Sequence, residues 1–463
     1  MVEQMGAEAG DGRPGGASAL PGVAPDPRSA RAETASGTGI ALRSSGGRRT
    51  AALLIWALLV AGSFGVGAVL HAAGVLTIDH LPPLHGHFRV LTITLLPAAA
   101  FAILAVTALP ALVERTGFGR ASLIAYGSAL TWTILLAISA DGLAAPFTHR
   151  QEYLAVLPAV GDDPLGWLAT FTQRLPDYPT HVRGHPPLPV LVVWALAKIG
   201  LPGPLWAALL VIAVGCSATV AIALTARRLA GEQAARRALP YLALTPASVW
   251  IATSMDAFFM GVGAWGVALL VLGRGRFARI LFWAAAGVLL GALPYLSYGL
   301  VPYLLIPVVV AVAVRPSRVA VLAALGGAAA VTLAFAAAGF LWPAGVAATH
   351  AQWAADPGAA RPYLYFLVAN LAVLALLTGP AVAVGLTRAG RGVSPGITLL
   401  VAAAMAAVLA LDLSGITRGE VERIWLPFAA WITLAAALAP TRRLLALQAI
   451  TGLLLQALVI SPW

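Results

Sequence analysis

Charge is scarce in this chain. Asp, Glu, Lys and Arg make up only 10% of its 463 residues, whereas 60% are hydrophobic and the mean hydropathy is +0.88. A soluble globular domain carries about a quarter of its residues as charges, so that class is excluded. Cysteine is nearly absent as well. Cys216 stands alone in an apolar run, which removes any intrachain disulfide or cysteine-built metal cluster and leaves it as a small core residue. No Walker loop or HExxH pair is present, and no GxSxG elbow or dinucleotide fingerprint stands out. Acidic residues number 18 against 29 basic ones, a net charge of +11. The arginines fall in short pairs between apolar runs and not on one basic face, so they read as topology signals and exclude a nucleic-acid partner.

What the chain has in abundance is long apolar runs, almost end to end after Thr50. A transmembrane helix needs about 20 such residues, and runs without two-residue alternation select helices over a barrel. The expected fold is therefore all-α and polytopic. Residues 1–49, rich in Gly, Ala, Ser and Pro with scattered arginines, read as a disordered cytoplasmic tail. Their length ahead of the first apolar run argues against a signal peptide.

Placing each Arg-bearing connection in the cytoplasm orders the rest. Residues 50–140 supply the first spans, roughly Ala51–His71, Arg89–Leu112 and Ala121–Ala140. The stretch 141–203 then lies outside, and Pro186–Gly200 within it reads as an interfacial or re-entrant helix. Residues 204–463 form a helical core with spans near Pro204–Ala226, Arg237–Ala252, Ala257–Leu272, Arg279–Leu296, Leu300–Val314, Val319–Leu341, Tyr363–Leu386, Pro395–Leu411, Ile424–Ala439 and Leu444–Ile460. The total is about 13 transmembrane helices with the N-terminus inside. This topology carries a consequence that was not put into it: all eight histidines and most carboxylates fall on the outer side. An active site, if present, faces outward from the cell membrane.

Several outer residues are candidates, each with a plainer alternative. Glu152 in HRQEYLAV suits a general base or a divalent-cation anchor, or is a surface acid paired with Arg150. Asp141 is the alternative carboxylate, although Gly142 beside it suits a turn. His185, held before paired prolines in HVRGHPPLP, makes with Arg183 a cationic spot for phosphate, or else simply caps the helix that follows. Asp256 in TSMD sits between two apolar runs, where an ionisable group is costly unless paired or facing water and so points to function; the alternative is helix N-capping by Ser254 or Asp256. In ITRGEVERIWLPF, Arg423 is placed to reach a phosphate and Trp425 to stack on a sugar, although Arg and Trp also anchor helices at interfaces. The His80, His85 and His87 cluster lacks a nearby Cys or Glu, so a metal there is weakly supported.

The order of these motifs resembles a known family. An outer loop opening on an acidic residue and a Tyr, then HPPL before a short helix, then ARRLAG, LTPASVWIATSMDAFF and finally ERIWLPF is similar to the GT-C superfamily of membrane glycosyltransferases, of the protein O-mannosyltransferase and aminoarabinose transferase type. The resemblance covers Asp141–Leu272 and the element Glu420–Phe428. It implies sugar transfer with inversion from a polyprenyl-phosphate donor held in the membrane lipid to a glycan, lipid or protein acceptor of the cell envelope. Glu152 would be the acidic base, with Asp141 and Asp256 as further catalytic carboxylates. His185, Arg183 and Arg423 would face the donor phosphate, with a divalent Mg or Mn cation as an optional aid, and Tyr153 and Trp425 would contact sugar or acceptor. Two positions depart from the family pattern: Gln151 stands where an acid often precedes the Glu, and His185 replaces the more usual Lys. The competing expectation is a lipid-linked-sugar transporter or a non-catalytic scaffold of the same fold. The apolar spans, with Asn370 the main polar exception, count against a transporter.

Overall fold

The computed structural model describes residues 27–76, 81–89 and 92–460, with side chains described from Gly46. Residues 1–26 of the expected tail, and His80, lie outside that range. Helix α1 runs Pro27–Ala72, so helical backbone begins inside the segment read as unstructured. From Arg49 onward the chain forms one compact unit.

Its helices are α2 (Leu96–Arg115), α3 (Phe118–Ile138), α4 (Leu188–Lys198), α5 (Pro204–Ala230), α6 (Glu232–Ala243), α7 (Asp256–Leu272), α8 (Arg276–Leu296), α9 (Leu305–Val314), α10 (Arg318–Ala337), α11 (Trp342–Ala355), α12 (Tyr363–Thr378), α13 (Pro380–Leu386), α14 (Pro395–Ser414), α15 (Leu426–Ile432) and α16 (Arg442–Leu458). Extended structure is confined, among the described residues, to β1 (His87–Phe88) paired antiparallel with β2 (Val459–Ile460), which ties the loop after α1 to the C-terminal end. The protein is an all-helical polytopic membrane protein.

Seven helical segments are long and apolar enough to cross a bilayer: Gly46–Ala72, Ile93–Arg115, Phe118–Ile138, Pro204–Ala230, Arg276–Leu296, Arg318–Ala337 and Pro395–Ser414. Large apolar side chains such as Leu54, Leu58, Leu322 and Leu333 stand exposed on them, as a lipid-facing surface requires. The α5 span is 61% buried and is central, whereas the α1 and α10 spans are each 11% buried and peripheral. The expected count of 13 is not reached by this measure, because several expected spans are shorter or interrupted helices. Pro186–Gly200 contains an 11-residue helix, α4.

Two interruptions meet in the core. The expected span Tyr363–Leu386 bends by 103° between α12 and α13, at Gly379 with φ +78° followed by Pro380. The expected span Arg237–Ala252 stops at Ala243, where Pro246 disfavours helical backbone at Thr245. Backbone polar groups freed by a break inside lipid must find partners. Here the breaks satisfy each other: the Ala247 N–H and the Thr245 hydroxyl both donate to the Leu377 carbonyl, at 3.1 and 3.3 Å. The Gln448 side chain of α16 completes the junction by donating to Thr378 O and accepting from the Ala381 N–H. A Cβ at Gly379 would lie 2.4 Å from Gln448 Oε1, so this position requires glycine on two grounds.

Elsewhere small residues let helices touch. A Cβ on Gly287 of α8 would stand 1.9 Å from the Ala324 carbonyl of α10, and one on Gly327 2.3 Å from Ala284 O. Close backbone approach of this kind replaces the hydrophobic effect as the source of helix association in lipid.

Candidate active site

Between α3 and α4 the chain breaks into short helical turns that hold the first site residues. Gln151 clamps two of these turns together. Its side-chain oxygen accepts from the Thr180 N–H at 2.8 Å and its carbonyl from the His181 N–H at 3.3 Å. The clamp sets Glu152 directly against His181, with Oε1 2.8 Å from Nδ1 and both side chains buried. Gln151 thus has a structural task, and its neutral amide performs it without adding a charge beside Glu152.

One turn further on, His185 Nδ1 lies 2.8 Å from the His181 carbonyl. A carbonyl oxygen only accepts, so Nδ1 carries the proton and Nε2 keeps its lone pair. Burial pushes His185 down to about 4, opposed by the nearby Asp256 carboxylate and reinforced by Arg423. At neutral pH His185 is therefore an uncharged imidazole, not the fixed cation expected from its place before the prolines. Tyr153 packs edge-on to His185 with ring centroids 5.8 Å apart, and Phe259 of α7 lies 6.0 Å from the same imidazole. Burial holds the Tyr153 phenol well above its ordinary range, with Asp256 and Glu152 adding to the effect and Arg423 opposing it. Tyr153 is a neutral hydrogen-bond donor, and those influences place it among all three charged groups.

The second half of the site comes from distant sequence. Asp256, at the first turn of α7, is 3% exposed. Its Oδ2 accepts from the Ser254 hydroxyl at 2.6 Å and from Arg423 Nη1 at 3.3 Å. The Ser254 Oγ accepts from the Asp256 N–H at 3.1 Å at the start of α7, while the Asp256 carboxylate itself is committed to the ion pair with Arg423 and not to a cap. Arg423 is held from the other side by Glu420, whose Oε2 lies 2.9 Å from Nη2. Glu420 adopts a left-handed backbone, φ +62°, after Gly419 at φ +99°. A non-glycine residue in that conformation is uncommon. Burial raises the Glu420 carboxyl, but Arg423, His85 and Arg361 together bring it below the ordinary carboxylate range.

The charge chain continues outward. Glu420 Oε1 lies 3.8 Å from Arg361 Nη1 and 3.9 Å from His85 Nε2, and Arg361 Nη2 lies 3.1 Å from that same His85 nitrogen. The His85 backbone N–H donates to Glu422 Oε1 at 3.4 Å.

The structure therefore gathers Glu152, Tyr153, His185, Asp256 and Arg423 into one buried cluster. Asp141 is not in it: it lies exposed in the turn after α3. Arg183 is half-buried and reaches back to the Thr180 hydroxyl at 3.4 Å, making no bond to His185. Trp425 is fully buried in the core and its indole N–H has no hydrogen-bond partner among the described residues, so its ring face is not presented for sugar stacking. Sequence reasoning overlooked His181 as the partner of Glu152, although His181 and His185 are spaced one helical turn apart. It also overlooked Arg361, and it weighed His85 only as a weakly supported metal ligand. No local pattern marks Arg361; only packing brings it to Glu420. Among the described residues no group of three or more His, Cys, Asp or Glu is arranged to hold a metal ion.

The His185 shift predicts a pH dependence of stability. Its value in the folded chain, about 4, is below the ~6.5 of an unfolded histidine, so the unfolded chain takes up the proton first. Stability should be unaffected by this group above about pH 6.5, fall as pH drops towards 4, and level off below. Thermal unfolding of the detergent-purified protein at pH 7.5, 5.5 and 4.5 checks this. His185→Gln should flatten the profile across that window, and an unchanged slope would remove His185 as its source.

No protein-family model matches this chain, and no curated protein matches it. Among solved structures, the crystal structure of ArnT from Cupriavidus metallidurans in the apo state is similar over part of its length, at 16% identity and a TM-score of 0.37, covering 62% of this chain. The chain spans 58% of the length of that ArnT chain.

Proposed function

We propose that this chain is a membrane glycosyltransferase that moves a sugar from a polyprenyl-phosphate donor to an acceptor of the cell envelope, with inversion. The observation that carries the reading is the convergence of Glu152, His185, Asp256 and Arg423 from four separate stretches into one cluster. Those are the positions that the motif order assigns to base, phosphate contact, outer-turn acid and late arginine. A lipid donor suits a site at the ends of apolar helices, because its tail stays in the bilayer while its head reaches the loop residues. The Arg-bearing connections support an extracytoplasmic site and a cytoplasmic N-terminus.

In the proposed step the acceptor oxygen attacks the anomeric carbon from the face opposite the phosphate. Its proton passes to the Glu152 carboxylate, the carbon–oxygen bond to phosphate breaks, and the departing polyprenyl phosphate keeps the electron pair. His181 orients Glu152. Arg423, fixed in advance by Asp256 and Glu420, meets the charge that develops on the phosphate. The His185 Nε2 lone pair takes a proton from bulk water as the anion arrives, since an anion within hydrogen-bond reach raises a depressed histidine. A divalent cation does not fit this donor set: Glu152 is taken by His181, Asp256 by Ser254 and Arg423, and Glu420 by Arg423. No step is routed through one.

The test is transfer of radiolabel from a panel of polyprenyl-phosphate sugars to membrane acceptors by the purified protein. Transfer from at least one donor, with inversion at the anomeric carbon, is the expected result. Binding without transfer across the whole panel would sink the enzyme reading and favour a lipid-linked-sugar transporter or a scaffold.

A further inference from the structure

A cavity of about 470 Å³ lies at the Arg-bearing ends of the helices. It is walled by the last turns of α2, by α6, by the connection after α13 and by the start of α16. Four arginines, Arg236, Arg237, Arg388 and Arg442, line it against one acid, Glu114.

Arg236 is committed to structure. It pairs with Glu232 Oε1 at 2.7 Å and donates to the Thr116 carbonyl at 2.7 Å, closing the C-terminal end of α2. The floor is fixed too: the Tyr241 hydroxyl donates to Thr441 O at 2.9 Å and accepts from the Thr441 N–H at 2.8 Å. The remaining three cations are not committed. Arg237 and Arg388 make no side-chain hydrogen bond or ion pair among the described residues, and Arg442 reaches only the Thr107 carbonyl at 3.4 Å. Three guanidinium groups around one cavity repel one another and offer forked donors matched to phosphate oxygens. The first turn of α16, a 17-residue helix, adds its positive end to the same space.

Depth and lining decide what kind of anion fits. Pro110 and Glu114 belong to the final turns of the α2 span, so the cavity sits at headgroup level and not out in solvent. Leu438 and Leu445 give it an apolar side, which a free ion would not use and a lipid's glycerol and first acyl carbons would cover. Basic pockets between helices on the Arg-rich side of a membrane protein meet the leaflet that is rich in anionic lipid. From these observations we infer that this cavity binds the phosphate headgroup of an anionic membrane lipid. The inference is independent of the proposed sugar transfer. It also has a structural link to the first site, because the segment from Arg423 through α15 to Leu438 runs from one to the other.

Native mass spectrometry of the full chain, purified in detergent, tests it with phosphatidylglycerol, phosphatidylcholine and inorganic phosphate as probes. Wild-type protein should retain phosphatidylglycerol in preference to phosphatidylcholine. The triple variant R237Q/R388Q/R442Q should lose roughly tenfold or more of that retention, and the control R274Q/R276Q, on a different Arg-bearing connection, should lose none. Should the triple variant fail to fold, Arg388→Gln alone, in an interhelical connection, should cost about two- to fivefold. Equal retention of the two lipids, or full retention by these variants, overturns the inference. Displacement of phosphatidylglycerol by inorganic phosphate that then remains bound to wild type overturns the lipid assignment in favour of a soluble phosphate.

Discussion

Glu152→Gln should lower sugar transfer by about 10²–10⁴-fold, the usual contribution of a positioned general base, while leaving donor binding in place. The substitution is nearly isosteric, and its amide oxygen still accepts from His181 Nδ1, now 2.8 Å from Oε1. The clamp through Gln151 is untouched, so the buried loop keeps its shape. What is removed is only the ability to take a proton. Radiolabel transfer measured beside donor binding separates the two effects. Equal transfer by wild type and variant would take Glu152 out of the mechanism and move attention to Asp256. Asp141→Asn, exposed and outside the cluster, should leave transfer unchanged and serves as the control.

The second large effect is expected at Arg423. This side chain is 6% exposed and stands between two carboxylates. Arg423→Ala would leave Asp256 buried without its counter-charge, and breaking a buried pair in this way typically costs about 3–5 kcal/mol. Thermal unfolding in detergent should show a clear loss of stability, and donor binding should weaken with it. Asp256→Asn removes the stranded charge, so the double variant D256N/R423A should be less destabilised than the two single losses added together, by roughly 0.5–3 kcal/mol. Strict additivity would show that the two residues do not act as a pair. Arg423→Lys keeps the charge but not the fork that grips Asp256 and Glu420 at once, so it should restore only part of either property.

Hydropathy made the membrane class and helical fold legible, because burial in lipid acts on each run of residues separately and leaves its mark along the chain. The Arg-bearing connections gave an order of loops for the same reason. Members of the buried cluster were legible where an ionisable residue falls in an apolar setting, as with Asp256 between two hydrophobic runs. Span continuity was not. Tyr363–Leu386 reads as one apolar run, and only the structure places Gly379 against Gln448 and bends the chain there. Trp425 shows the converse, since an interfacial tryptophan and a core tryptophan have the same neighbours in sequence.

By itself, then, the sequence determined that this chain lives in a bilayer and that it is helical. Tertiary structure alone decided which titratable groups meet: His181 on Glu152 across 29 residues, Arg423 on Asp256 across 167, and Arg361 against His85 across 276. It alone also turned His185 from an expected cation into a neutral imidazole and withdrew Trp425 into the core. Partition into lipid depends on what a residue is, whereas a pKa or an ion pair depends on what lies within a few ångströms of it, and helix packing sets those neighbours.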